Sequence, residues 1–220
     1  MAISNHLVLF QATFFVLVLV LAVCEFLPIT FHLFDFKGHC LLFTNGTWRG
    51  TDGQFMAEWS SQAYCDVAIA WGLIAVAVSL IQMHRFINYL CSATDTSFLG
   101  AFLDCLISGF MFICSLCIAI MMTLGYQEWC DAIMQRFEQC QDASSNNILK
   151  DDGIDTTMFY TQFGTAQFGA WSLWVCFVGL LVVSLLKICK YHQTENIRSS
   201  MARDRARLIS EQRENGHRVL

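Results

Sequence analysis

The stretch LVLFQATFFVLVLVLAVCEFL, residues 7–27, carries no charge before Glu25. A hydrocarbon core about 30 Å thick needs about 20 mostly apolar helical residues to cross it, and this run supplies them. Three further stretches do the same. They run from Tyr64 to Met83, from Phe98 to Leu124 and from Ala166 to Ile188, the last containing Trp171, Trp174 and Leu180-Leu181-Val182-Val183. Each is continuous rather than alternating, which argues for helices and against a membrane β-barrel. The expected fold class is therefore an all-α membrane protein. Four transmembrane helices (about 7–27, 64–83, 98–124 and 166–188) flank two outer loops (about 29–63 and 125–165). They make a membrane domain over 1–190 with a cytosolic tail over 191–220. Pro28 follows the first span and is expected to end that helix. The first run lacks a basic leading segment and exceeds the usual apolar length of a signal peptide, so it reads as an uncleaved helix.

Composition agrees. Of 220 residues, 55% are hydrophobic and only 14% charged, with one proline, and the mean hydropathy is +0.49. A soluble domain carries about 25% charged residues to cover its surface. The net charge of −5 argues against a nucleic-acid partner, because a phosphate backbone demands a basic face.

Four spans put both termini on one side. From Lys187 onward the chain holds Lys187, Lys190, Arg198, Arg203, Arg205, Arg207, Arg213 and Arg218, and the short loop between spans two and three adds Arg85. The two long loops together hold only Lys37, Arg49, Arg136 and Lys150. That bias places both termini in the cytosol. Asn45-Gly46-Thr47, the one glycosylation sequon, falls in the first long loop and makes Asn45 the expected glycan site. The loops are acidic, which suits a solvated surface or one that attracts cations or a basic partner. Asp151-Asp152-Gly153-Ile154-Asp155 lacks the ligand spacing of a calcium loop. In the tail, Ile197, Met201 and Leu208 fall near one helical face among arginines. That pattern fits either a basic helix on an anionic leaflet or a solvated tail.

Topology sorts the eleven cysteines. Cys40, Cys65, Cys130 and Cys140 lie on the outer side, where two disulfides are expected. Three connectivities are open. Bridges within each loop, Cys40–Cys65 and Cys130–Cys140, are favoured over bridges that tie the loops together. Cys24, Cys105, Cys114, Cys117 and Cys176 lie within spans and read as small hydrophobes, the Cys114-x-x-Cys117 spacing included. Cys91 and Cys189 sit at the cytosolic edge, where S-palmitoylation occurs.

Asp104 is the one clear charge inside a span. A charge there costs about 2.5–3.5 kcal/mol at mid-membrane and less near the interface. It is expected to face other helices, be partly hydrated or be protonated, with Arg85 a candidate partner. A contact to a partner protein and an ion or proton path are the sharper alternatives. Glu25 and Asp66 are placed near the outer interface, where hydration is easy. Gln162 and Gln167 are candidates for hydrogen bonds between helices, and Gly164, Ala166, Gly169 and Ala170 for close packing. The six histidines make no metal pattern with the cysteines. No phosphate loop, GxSxG, HExxH or dinucleotide fingerprint is present. No cofactor is expected, and no polar cluster at one depth is visible of the kind a membrane enzyme needs.

Several motifs resemble the transmembrane protein 179 family, in order along residues 7–190. They are Phe36-Lys37-Gly38-His39-Cys40-Leu41-Leu42-Phe43 with Gly46 and Trp48, Ser97-Phe98-Leu99-Gly100-Ala101-Phe102-Leu103, Trp129-Cys130-Asp131, and Phe159-Tyr160-x-Gln162-Phe163-x-x-Ala166-Gln167-Phe168-Gly169-x-Trp171. The resemblance implies a four-pass protein with cysteines at positions 40, 65, 130 and 140. The tetraspanin CCG motif is absent, and the claudin W-x-x-W-C constellation is not matched, since no such cysteine follows Trp48. The resulting reading is a non-enzymatic membrane glycoprotein of the plasma membrane or secretory pathway. Its job would be to serve another integral membrane protein as an accessory, assembly or trafficking partner, and homo-oligomers remain open. The alternative is a small channel or transporter subunit. Trp48 and Trp59 are candidate anchors for a partner, and Trp129 for the lipid interface.

Overall fold

A computed structural model describes residues 2–50, 53–92, 98–146, 148–149 and 153–218. Four helices dominate: α1 (Ala2–Asp35), α2 (Ala63–Ser92), α3 (Phe98–Ile133) and α4 (Phe159–Arg218). Each contains a stretch long and apolar enough to cross a membrane. A short antiparallel hairpin of β1 (Asn45–Trp48) and β2 (Phe55–Glu58) and a 3-10 turn at Cys140–Ser145 occupy the two long connections. The chain is thus an all-α four-pass bundle with a small β addition that hydropathy does not signal.

Every helix buries one seam at alternating steps of three and four. On α1 the buried positions are 8, 11, 15, 18, 22, 25, 29 and 32, and on α4 they include 159, 163, 166, 170, 173, 177, 180, 184 and 187. On α2 they include 65, 68, 72, 75, 79, 82 and 86, and on α3 101, 104, 108, 111, 115, 118, 122, 125, 129 and 132. That spacing is the repeat of left-handed bundle packing. The ring order is α1–α2–α3–α4, with α2 and α3 meeting least. The opposite faces expose Phe10, Leu17, Ile81, Phe110, Ile113, Phe168 and Val175, as lipid-facing positions should. Small residues let backbones close up. A Cβ on Gly169 would lie 2.8 Å from Glu25 N and 3.0 Å from Cys24 C, so only glycine lets α4 sit against α1 there.

Pro28 does not end α1, contrary to expectation. The helix runs through it to Asp35. The missing amide removes one ladder bond, but Ile29 and His32, each no more than 1% exposed, anchor the next turns in the bundle. α1 ends instead where Lys37 (φ 53°) and Gly38 (φ 88°) turn left-handed. Gly38 N donates to Leu33 O at 2.7 Å and Lys37 N to Phe34 O at 3.2 Å, which satisfies the last carbonyls. α3 likewise extends past Leu124 by more than two turns, and α4 continues without a break through residues 191–218.

Candidate functional site

Two regions concentrate the polar chemistry, one at each end of the bundle. At the end where α2 finishes, α3 begins and α4 extends, four helices place polar side chains at one depth. Asp104 of α3 is the centre. Its Oδ1 accepts from Arg85 Nη1 at 2.9 Å and from Gln82 Nε2 at 3.5 Å, both on α2. Its Oδ2 lies 3.7 Å from Lys187 Nζ of α4. Arg85 Nη1 also donates to Gln82 Oε1 at 2.6 Å. Lys187 Nζ reaches Gln11 Oε1 of α1 at 3.5 Å, and Gln11 Nε2 donates to Ser184 Oγ at 3.1 Å. Lys187 also stands over the Phe86 ring at 5.9 Å. Side chains of Asp104 and Lys187 are each 5% exposed, while that of Arg85 is 28% exposed.

The pairing of Asp104 with Arg85 matches the sequence expectation, but the layer corrects three others. Lys187, counted above with the basic tail, is a buried member of the bundle. Asp104 is not the sole buried charge. A polar cluster at one depth does exist, and no single stretch of sequence displays it because its members are spread over four segments of the chain, one or two per helix.

Toward the other end of α1 lie two further surprises. Glu25, expected in easy reach of water, is 0% exposed, and among the described residues neither carboxylate oxygen has a hydrogen-bond partner. Gln11 and Glu25 are 14 residues apart, about 21 Å along a helix. Glu25 therefore sits deep in the half of the bundle nearer the long loops, beside the Gly169 contact. His32 is also 0% exposed. Its ring lies 4.0 Å from that of Phe36 and 4.7 Å from that of Phe163, with the Gln162 amide as the polar group facing it. Gln162 Nε2 donates to Asp35 Oδ2 at 2.7 Å, tying α4 to α1.

The long connections fold into a dome over that end. Disulfides join Cys40 to Cys65 and Cys130 to Cys140. The first links the chain leaving α1 to the first turn of α2, and the second links α3 to the 3-10 turn. The hairpin lies on the projecting end of α3. Trp48 Nε1 donates to Ala132 O at 3.1 Å, and Phe55 N to Ile148 O at 3.0 Å. Phe55 meets Trp129 edge-on at 5.3 Å, and Trp48 meets Phe137 at 5.6 Å. Trp129 is 0% exposed, so it is the core of the dome and not a lipid anchor. Trp48 and Trp59 are half-buried, Trp59 stacking on His39 at 4.7 Å. The two loops thus form one packed unit although no disulfide crosses between them.

Asn45 and Thr47 project from the exposed face of β1. Asp155 accepts from Thr157 N at 2.9 Å, which holds its carboxyl below the usual carboxylate range. Asp151 and Asp152 lie outside the described residues. Cys189 is exposed, whereas the side chain of Cys91 lies outside those described. Cys24, Cys105, Cys114, Cys117 and Cys176 are free thiols. Among the described residues no three His, Cys, Asp or Glu side chains gather as a metal site would require.

A four-helix membrane bundle capped by a disulfide-stapled dome is the architecture of a multi-pass membrane protein. Residues 7–209 match the family model of the transmembrane protein 179/179B claudin domain, and the chain belongs to that family. The missing W-x-x-W-C motif therefore does not set it apart from a claudin domain. In this chain the first loop is stapled by Cys40–Cys65. No solved structure matches the chain.

Proposed function

We propose that the protein is a non-enzymatic partner of another integral membrane protein, serving its assembly, trafficking or gating. In this reading both termini are cytosolic, Asn45 carries a glycan, and the dome faces the lumen or cell exterior of the plasma or secretory-pathway membrane. The observation that carries it is the dome itself. Its aromatic core and the Trp48–Ala132 bond seat the hairpin on α3, the two bridges staple the chain on either side of it, and a preorganised outer surface loses little entropy when a second protein docks on it. The bundle interior supports the same reading. Between the Asp104 layer and the dome, Val18, Ala22, Ala119, Met122, Ala170 and Leu173 are no more than 2% exposed, with Glu25, Ser79 and Ser115 as buried polar exceptions, and this closely packed, mostly apolar stretch suits a scaffold better than a conduit.

Affinity purification in mild detergent should recover a stoichiometric membrane partner, and co-expression should change that partner's surface level or gating. Recovery of this chain alone, with no such change, would sink the proposal. A second reading, a small channel or transporter subunit, rests on Glu25 and Asp104, two buried carboxyls at different depths of one bundle. A conductance in liposomes of the purified protein, removed by Asp104→Asn in a preparation that still melts cooperatively, would establish it in place of the first.

A further inference from the structure

We propose that the open edge of the Asp104 layer, at Arg85, binds the phosphate of an anionic lipid headgroup. The charge count leads there. Among the described residues, Arg85 and Lys187 share the single carboxylate of Asp104, which leaves a surplus positive charge there at the rim of an apolar bundle. Among the described residues the next acid on α4 is Glu195, eight positions on, about 12 Å along the helix. An uncompensated charge in such surroundings is costly, and a counter-anion from outside removes the cost.

The geometry says where it enters. Lys187 is sealed in, whereas the Arg85 side chain is 28% exposed. A guanidinium has five N–H donors. Arg85 gives two from Nη1 to Asp104 and Gln82, and Tyr89 faces it as a third partner. Among the described residues the rest of the fork meets no further partner, which leaves it for a planar two-point contact of the kind phosphate accepts. Lys187 adds positive potential behind it.

The lipid source rests on the orientation given under Proposed function, which sets this end in the inner leaflet. Anionic headgroups concentrate there, and basic pockets between helices hold them. A headgroup whose phosphate lacks a compensating ammonium, such as phosphatidic acid or a phosphoinositide, fits the surplus charge better than phosphatidylcholine.

Native mass spectrometry of the full chain in detergent, titrated with phosphatidic acid, phosphatidylinositol 4-phosphate, phosphatidylcholine or inorganic phosphate, tests this. The two anionic lipids should remain bound where phosphatidylcholine does not. Arg85→Gln, which leaves Asp104 paired with Lys187, should weaken their retention about tenfold, the equivalent of one charge-assisted hydrogen bond. Arg85→Lys should lie between. Replacing Arg198, Arg203, Arg205 and Arg207 by Gln should leave retention unchanged. Equal retention of phosphatidylcholine, or loss only in the tail variant, overturns the site. Binding of inorganic phosphate without lipid retention overturns the lipid source. The measurement does not depend on orientation, so its failure leaves the partner reading standing, and a failed partner search leaves the lipid site standing.

Discussion

Gln11 and Ser184 stand 173 residues apart in sequence, yet the amide of one donates to the hydroxyl of the other at 3.1 Å. That bond joins the first helix to the last at the depth where Asp104 gathers Arg85 and Lys187. The layer therefore acts as a clasp on all four helices, and the substitutions it tolerates least are those that leave charge unpaired.

Asp104→Asn removes the anion from two cations. It should cost about 3–5 kcal/mol, the usual penalty for stranding a buried charge, and lower the unfolding temperature in detergent. Asp104→Leu should be worse, because Gln82 and Arg85 lose their acceptor as well. Combining Asp104→Asn with Lys187→Gln should restore part of the loss. No difference between the single and double variants in a thermal melt would show that the two residues are uncoupled.

Glu25 predicts the opposite sign. A buried carboxyl without partners is a liability of about 1–3 kcal/mol. Glu25→Met should raise the melting temperature of the purified protein. A fall would mean that the carboxyl has a polar partner in the folded state.

Gly169 and Gly164 make a paired test. Gly169→Val drives a branched side chain into the α1 backbone and should cost about 1–3 kcal/mol by overpacking. At Gly164 a Cβ meets nothing within 4 Å, so Gly164→Ala should stay within about 0.5 kcal/mol of the parent. Detergent stability of the two variants decides it.

Peptide mapping without reductant should return Cys40 with Cys65 and Cys130 with Cys140. The separations are 25 and 10 residues, so loop-closure entropy gives the first bridge about 3.5 kcal/mol and the second about 2.7 kcal/mol. Loss of the first pair should be the more damaging to surface expression. Free thiols at these four positions in folded protein would refute both bridges.

Asn45 and Thr47 are both exposed on β1, so the sequon is open to the glycosylation machinery. Endoglycosidase treatment should raise gel mobility, and either Asn45→Gln or Thr47→Ala should abolish that shift. A protease that trims a C-terminal tag on intact cells would contradict the orientation from which this follows.

The spans were legible because lipid demands long apolar runs, and the loop cysteines because only four of them fall outside the runs and the tail-side edge. The packing seam was harder to see, since lipid-facing and core-facing residues are equally apolar. A trace of it was present all the same. Gln11, Glu25 and His32 on α1, Ser79 and Gln82 on α2, Asp104, Ser108 and Ser115 on α3, and Ser184 and Lys187 on α4 all sit at seam positions. In a membrane helix the rare polar residue marks the inward face. Extending that rule across the spans would have grouped Lys187 with Asp104. The hairpin escaped because four-residue strands give too short an alternation to read. Pro28 stays inside α1 because local backbone preference yields to packing on both sides of it.

The Cys40–Cys65 bridge has a topological consequence. It closes a covalent ring that runs from the end of α1, out along β1, back along β2 and into α2. A protease that severs the chain after Arg49, at the tip of that ring, opens the ring without separating its halves. The cut protein would migrate as one species until a reductant is added and then as two. Backbone continuity and molecular integrity are uncoupled at this point, and the hairpin tip can be nicked with α1 still fastened to the rest of the bundle.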